Sequence, residues 1–329
     1  MMQRYGFNFG WMYAWEEGRT SEPADEQALD FMAEYGFNFV RIPTNYHFWT
    51  RDFDYFHPDK TVFEVLDSYL AACRARGFQL SLNLHRAPGY CINRNDLERH
   101  NLWQDGVAQD AFVYLWETFA RRYRGVPSNF LSFDLVNEPP EVGQYEMTRE
   151  NHAALIKRTV AAIRAVDPQR EIVIDGLGAG NLAMPELTDL GVVYSGRGYQ
   201  PMSVSHYQAS WWDGHPGLPE PSYPCTTVRS GTAAPCATIT SPGVRWRRRA
   251  RVFIIGEFGC YNRTPNDVAL AWFRDLFAVY KEFGWGYAMW NFKGDFGIIG
   301  HDRPGVQYET IRGYKVDRAL LELMIENRV

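Results

Sequence analysis

Phe130-Leu-Ser-Phe-Asp-Leu-Val-Asn137-Glu138-Pro139-Pro140 is the stretch whose reading decides the fold. An apolar, β-branched run that ends in Asn-Glu and is cut off by two prolines predicts a buried strand carrying a carboxylate to its carboxyl-terminal tip. In an α/β barrel every strand ends on one face, and catalytic side chains gather there. The rest of the chain is therefore searched for further strands of this kind.

Working outward, Tyr5-Gly-Phe-Asn-Phe9 recurs as Tyr35-Gly-Phe-Asn-Phe39, at the spacing of one strand-helix unit. Helices are predicted over 21–35, 61–76, 106–123, 147–166, 266–283 and 316–326 from their amphipathic spacing and terminal signals. Strands are predicted at 5–9, 38–43, 78–84, 130–137, 171–175, 201–205, 252–257 and 286–290. Eight strands that mostly alternate with helices point to a closed parallel barrel or a doubly wound open sheet. The open sheet ordinarily carries a glycine-rich phosphate turn after its first strand. Here Phe9-Gly10-Trp11-Met12-Tyr13 stands in that place, so a single (β/α)8 TIM barrel spanning 1–329 is expected.

An irregular segment at about 213–250 breaks the pattern. From Pro221 to Gly256 there is no Asp or Glu, and a basic run, Arg245-Trp-Arg-Arg-Arg-Ala-Arg251, closes it. A divergent loop and a shifted reading frame would each produce such a stretch. The run reads as a solvated loop rather than a nucleic-acid contact, because a net charge of −5 gives no field that would gather polyanions.

Composition bounds the partners further. Hydrophobic residues make up 46% of the chain and charged residues 22%, enough for a large core and ordinary for a soluble protein. Aromatic residues reach 16%, and Trp and Tyr offer the apolar face and polar edge that suit a sugar ring. No apolar run approaches the length needed to cross a bilayer. The five cysteines, Cys73, Cys91, Cys225, Cys236 and Cys260, lack metal-ligand spacing, and only Cys225 and Cys236 suggest a pair. The amino terminus shows no signal-peptide pattern, so the chain is expected to be cytoplasmic or to have lost a signal. A monomer is expected.

The predicted strand tips carry Arg41, His85, Asn137, Glu138, His206, Glu257 and Trp290. A barrel would bring Glu138 and Glu257 face to face, and paired carboxylates in unlike surroundings are the equipment for glycosidic cleavage. The other use of carboxylates and histidines is a metal site, but no His-Glu-x-x-His is present. Plainer readings exist for each partner: a barrel-mouth ion pair for Arg41, satisfied core histidines for His85 and His206, and a core aromatic for Trp290.

Over nearly its whole length the chain resembles the family 5 glycoside hydrolases, the cellulase-type members of a large clan of retaining barrel enzymes. The resemblance rests on Val40-Arg41-Ile-Pro43, Leu82-Asn-Leu-His85-Arg-Ala-Pro88-Gly89, Leu135-Val-Asn137-Glu138-Pro139, Ser205-His206-Tyr207, Ile255-Gly256-Glu257-Phe258-Gly259 and Met289-Trp290. It implies a cofactor-free endo-β-1,4-glucanase acting on a β-linked polysaccharide, with Glu138 as acid/base and Glu257 as nucleophile. By the same resemblance Arg41, His85, Asn137, His206 and Tyr207 contact substrate or carboxylates, and Trp290 forms the floor under the sugar being cleaved. In many family members the tyrosine follows the histidine by two positions, whereas Tyr207 is adjacent to His206. Xylan or mannan as substrate, and a sugar-binding barrel with impaired catalysis, stand as alternatives. Some of Trp11, Tyr13, Trp15, Tyr46, Trp49, Tyr90, Trp211 and Trp212 are expected to stack on neighbouring sugars.

Overall fold

A computed structural model describes residues 3–10, 14, 18–214, 216–224, 226–227, 234–235 and 253–328. Strands β1 (Tyr5–Asn8), β2 (Phe39–Asn45), β3 (Gln79–Arg86), β4 (Leu131–Asp134), β5 (Glu171–Asp175), β6 (Val193–Gly198), β7 (Phe253–Phe258) and β8 (Gly286–Met289) form the sheet. All pair in parallel, and Tyr5 against Tyr287 joins β1 to β8, closing a (β/α)8 TIM barrel. Helices α1 (Glu26–Glu34), α2 (Phe63–Ala75), α3 (Gly106–Arg122), α4 (Arg149–Val166) and α5 (Asn266–Phe283) lie between the strands, and α6 (Arg318–Glu326) follows β8. A short 3₁₀ segment, Pro185–Leu190, stands between β5 and β6, and among the described residues the connection from β6 to β7 carries only the four-residue turn Met202–Ser205.

Strand alternation explains the two-layered composition of the barrel. On β2 Val40 and Ile42 join the large core beneath the helices, and on β5 Ile172 and Ile174 do the same. The intervening residues face the interior. Phe39, Val173, Val193, Ile254 and Ala288 form a separate small apolar layer there. One pleat further toward the carboxyl-terminal ends, the same faces carry Arg41, Asp175 and Ser195, all buried. At the opposite end Glu171 accepts from Arg4 Nη2 at 2.6 Å and from Gln79 Nε2 at 3.0 Å. The interior is thus a polar plug, an apolar floor and a polar upper layer.

The structure moves one predicted strand. The sixth strand is Val193–Gly198, and the residues assigned to it from sequence, Pro201 to Ser205, begin a short helical turn, Met202–Ser205. The strand reads poorly because Ser195, Gly196, Arg197 and Gly198 interrupt its apolar run. The repeated pentapeptide is also out of phase. Its first copy is β1, but in the second Gly36 turns at φ 71° and only Phe39 enters β2. Trp11, Tyr13, Trp15, Cys225, Cys236 and most of 213–250 lie outside the described residues. Cys73, Cys91 and Cys260 are buried free thiols.

Candidate active site

Two buried arginines organise the polar upper layer. Arg41, on β2, donates from Nε to Asp134 Oδ2 at 2.7 Å and from Nη1 to Asn8 Oδ1 at 2.9 Å and Glu257 Oε1 at 2.6 Å. Its Nη2 reaches Asn137 Oδ1 at 2.9 Å. Arg197, on β6, grips Asp175 with Nη1 at 3.0 Å and Nη2 at 2.5 Å. It also donates from Nε to Glu138 Oε1 at 2.8 Å, and from Nη2 to Asn137 Oδ1 at 2.8 Å and Glu257 Oε1 at 3.3 Å. Both candidate catalytic carboxylates therefore rest on one guanidinium.

The backbone aims these groups. Between β6 and β7 the register passes from Gly196 opposite Ile255 to Arg197 opposite Glu257, so Gly256 is an extra residue. Such a bulge re-aims side chains and is common beside active sites. Here it sets Arg197 level with Glu257. A Cβ at Gly256 would lie 2.4 Å from Ser195 Oγ and 3.0 Å from Arg197 Nη1. Gly256→Ala is therefore expected to destabilise the fold by roughly 1–3 kcal/mol through overpacking, read as a fall in the denaturant midpoint.

After β4 pairs as far as Asp134, the chain still bonds its neighbours, with Leu135 N to Val173 O at 3.1 Å and Asn137 N to Leu84 O at 2.9 Å. Glu138 then adopts φ 47°, a left-handed conformation that holds strain at a non-glycine residue. Its backbone is fixed on both sides: the N–H donates to Asp175 Oδ2 at 2.9 Å, and the carbonyl accepts from Tyr90 Oη at 2.6 Å. The prolines that follow keep β4 from continuing.

Burial and charge divide the carboxylates. Burial and the nearby charge of Glu257 push Glu138 up to about 7, against the opposing pull of Arg197. Burial raises Asp134 to about 6 although Arg41 opposes it. For Asp175 burial also acts upward, but Arg197 and Arg41 outweigh it and hold the group below its usual range. Burial alone would lower Arg197; Asp175, Glu257 and Glu138 instead raise it well above the ordinary arginine value, so it stays charged. Asn137 turns its Oδ1 to both arginines, and its buried Nδ2 is without a protein partner.

The structure brings Arg41, His85, Asn137, Glu138, Glu257 and Trp290 to one mouth. His85 stacks on Trp290 with ring centroids 5.6 Å apart, and burial followed by Arg41 and Arg197 holds its pKa well below the usual value. His206 lies beyond β6 rather than at its tip, where its ring meets Tyr199 at 5.0 Å and Phe296 at 5.2 Å. Tyr207, next to it, is buried. The hydroxyl on the second carboxylate belongs to Tyr199, whose Oη donates to Glu257 Oε2 at 3.2 Å. Arg197, Tyr199, Asp134 and Asp175 were missed. The pattern Arg197-x-Tyr199 keeps the two-position spacing that His206-Tyr207 lacks, and that spacing was the available signal.

Among the described residues no group of three His, Cys, Asp or Glu side chains has an arrangement that could hold a metal ion. No helix among them is long and apolar enough to cross a membrane.

The family model for Cellulase (glycosyl hydrolase family 5) matches residues 2–295. Endoglucanase C of Acetivibrio thermocellus is 27% identical over 315 residues, covering 87% of this chain and 89% of that protein. A solved glycoside hydrolase is 65% identical, with a TM-score of 0.96 and full coverage of both chains. A Thermotoga maritima Cel5A mutant solved with cellobiose is 21% identical, with a TM-score of 0.76 over 98% of this chain and 96% of that one, and shares the fold.

Proposed function

The chain belongs to the cellulase family, glycosyl hydrolase family 5, and from that premise we propose that it is an endo-β-1,4-glucanase working by retaining double displacement. As a glycoside hydrolase acting on β-glucan it must protonate a leaving oxygen and stabilise a cationic sugar carbon. The observation that carries the finer reading is the shared guanidinium: Arg197 holds Glu138 and Glu257 together, while Arg41 adds a second cation to Glu257 alone. Glu257, held by guanidinium donors from two strands, is the carboxylate fixed in place for attack. Glu138, raised to about 7, suits a proton donor.

In the first step Glu257 Oε attacks the anomeric carbon while Glu138 gives its proton to the departing glycosidic oxygen, so one C–O bond forms as the other breaks. Glu138, now ionised, takes a proton from water, whose oxygen displaces Glu257 from the same carbon. Two inversions leave the configuration unchanged, and carboxyl groups about 5 Å apart belong to that route. The Asn137 Nδ2 donors, turned away from both arginines, are placed for the sugar 2-hydroxyl. Trp290, backed by His85, offers a stacking face to the ring being cleaved. Arg41 and Arg197 hold the carboxylates, and Tyr199 steadies Glu257 through Oε2.

Carboxymethylcellulose, xylan and mannan offered in parallel test the substrate. Rapid loss of viscosity with new reducing ends on the first, and little on the others, supports endo action on β-1,4-glucan. Product released first as the α-anomer would overturn retention.

The pH profile gives a separate check. Glu138 must be protonated at the start, so kcat/KM is expected to fall as pH rises through about 7. Initial rates on a soluble glucan from pH 4 to 9 read this limb, and activity undiminished at pH 9 would remove Glu138 from the acid role.

A further inference from the structure

Tyr90 has no part in the mechanism above, yet its hydroxyl reaches the residue that must donate the proton. It lies just beyond β3, is 0% exposed, and so offers no face to a sugar. A tight turn delivers it. Ala87 and Tyr90 bond each other in both directions, N–H to carbonyl, at 2.9 and 3.0 Å. Gly89, between them, adopts φ 81°, and a Cβ there would lie 2.6 Å from Leu102 N. The ring is then held by Trp103 at 5.0 Å and Tyr145 at 6.1 Å, which fixes the hydroxyl before any substrate arrives. Burial, followed by Cys91 and Glu138, raises the phenol well above the usual tyrosine range, so it stays a donor.

Glu138 stands where such a donor matters. At φ 47° it holds a conformation that an unrestrained glutamate leaves. The neighbouring strand β5 and the loop after it restrain it from one side. Asp175 accepts from the Glu138 N–H at 2.9 Å, and the N–H groups of Ala179 and Gly178 donate to Pro139 O and Pro140 O, each at 3.0 Å. Tyr90 acts from the opposite side, that of β3, and on the peptide plane that joins Glu138 to Pro139. One hydrogen bond is comparable in size to the strain held by one left-handed residue, so its loss lets that plane turn.

We propose that Tyr90 is a positioning residue for the acid/base: by fixing the Glu138 carbonyl it holds the residue in its left-handed conformation and so aims the carboxyl at the glycosidic oxygen. This rests on the reading of Glu138 as the proton donor. The phenol itself does not meet the sugar, and its effect should therefore appear only in steps that need the proton of Glu138.

The test compares wild-type, Tyr90→Phe and Glu138→Gln proteins on cellotetraose and on 2,4-dinitrophenyl β-cellobioside. Dinitrophenolate departs without a proton, so glycosylation by the second substrate needs no acid. Tyr90→Phe is expected to lower kcat/KM on cellotetraose about tenfold, the equivalent of about 1.4 kcal/mol, with the loss in kcat and not in KM. On the aryl cellobioside its kcat/KM should stay within about twofold of wild type, which also shows that the variant is folded. Sodium azide, a nucleophile that needs no general base, should raise its kcat on the aryl substrate and leave wild type unchanged. An equal loss on both substrates would mean a merely structural role, and no loss on cellotetraose would equally overturn the proposal. A Glu138→Gln protein that loses both substrates alike, or neither, fails the acid/base reading itself, and this inference with it.

Discussion

Glu257→Gln is expected to lower kcat on a soluble β-1,4-glucan by about 10⁴-fold or more, since loss of a nucleophile removes the covalent route and not one contact among many. The substitution keeps the shape of the side chain. Glutamine retains an oxygen for the Arg41 and Arg197 donors, now 2.6 and 3.3 Å from Glu257 Oε1, so the pocket should stay assembled. Binding of cellohexaose, followed by calorimetry, should therefore remain measurable while release of reducing sugar ceases. Residual activity within tenfold of wild type would assign the attack to another group.

Arg197→Ala should affect folding and chemistry together. Removing one partner from a buried charge network costs roughly 3–5 kcal/mol, because the remaining charges lose their compensation. Here Asp175, Glu138 and Glu257 all lose a donor at once. The loss should deepen with pH. Without the cation the folded-state pKa of Glu138, already raised to about 7, rises further, and a carboxyl raised on folding gives stability that disappears as pH climbs through that value. Urea midpoints at pH 5 and pH 8 read the difference. Because Arg197→Ala is at risk of not folding, Arg197→Lys is the companion. Lysine keeps a charge but lacks the fork that reaches three carboxylates. Its alkaline activity limb should move upward and its kcat fall about 10²-fold or more, as a misplaced acid/base loses its contribution. An unmoved limb would show that Arg197 does not govern the proton on Glu138.

Most of the barrel was legible because its strands obey a simple rule. Runs such as Glu171-Ile-Val-Ile-Asp175 put β-branched residues beneath the helices and stop at turn-forming residues, and that strand matches its predicted bounds. β6 escaped because three of its six residues are Ser or Gly and a fourth is Arg197. Beyond Val193 its interior face holds Ser195 and a charge instead of packing a core, which removes the apolar signal. The two glutamates and the Asn-Glu pair could be singled out because each closes a recognisable strand. Asp134 and Asp175 could not, since their part is to hold arginines inside the barrel and no local pattern marks it. Tyr199 was lost with the strand that leads to it.

The apolar floor and the ionic layer above it respond oppositely to heat. Hydrophobic stabilisation per unit area levels off as temperature rises, while the free-energy cost of withdrawing ions from water declines. Withdrawing Arg41, Arg197 and their carboxylates from water costs folding more in the cold, and that cost grows lighter on warming. In this barrel the part that performs chemistry gains relative ground at high temperature, while Phe39, Val173, Val193, Ile254 and Ala288 contribute no more than before.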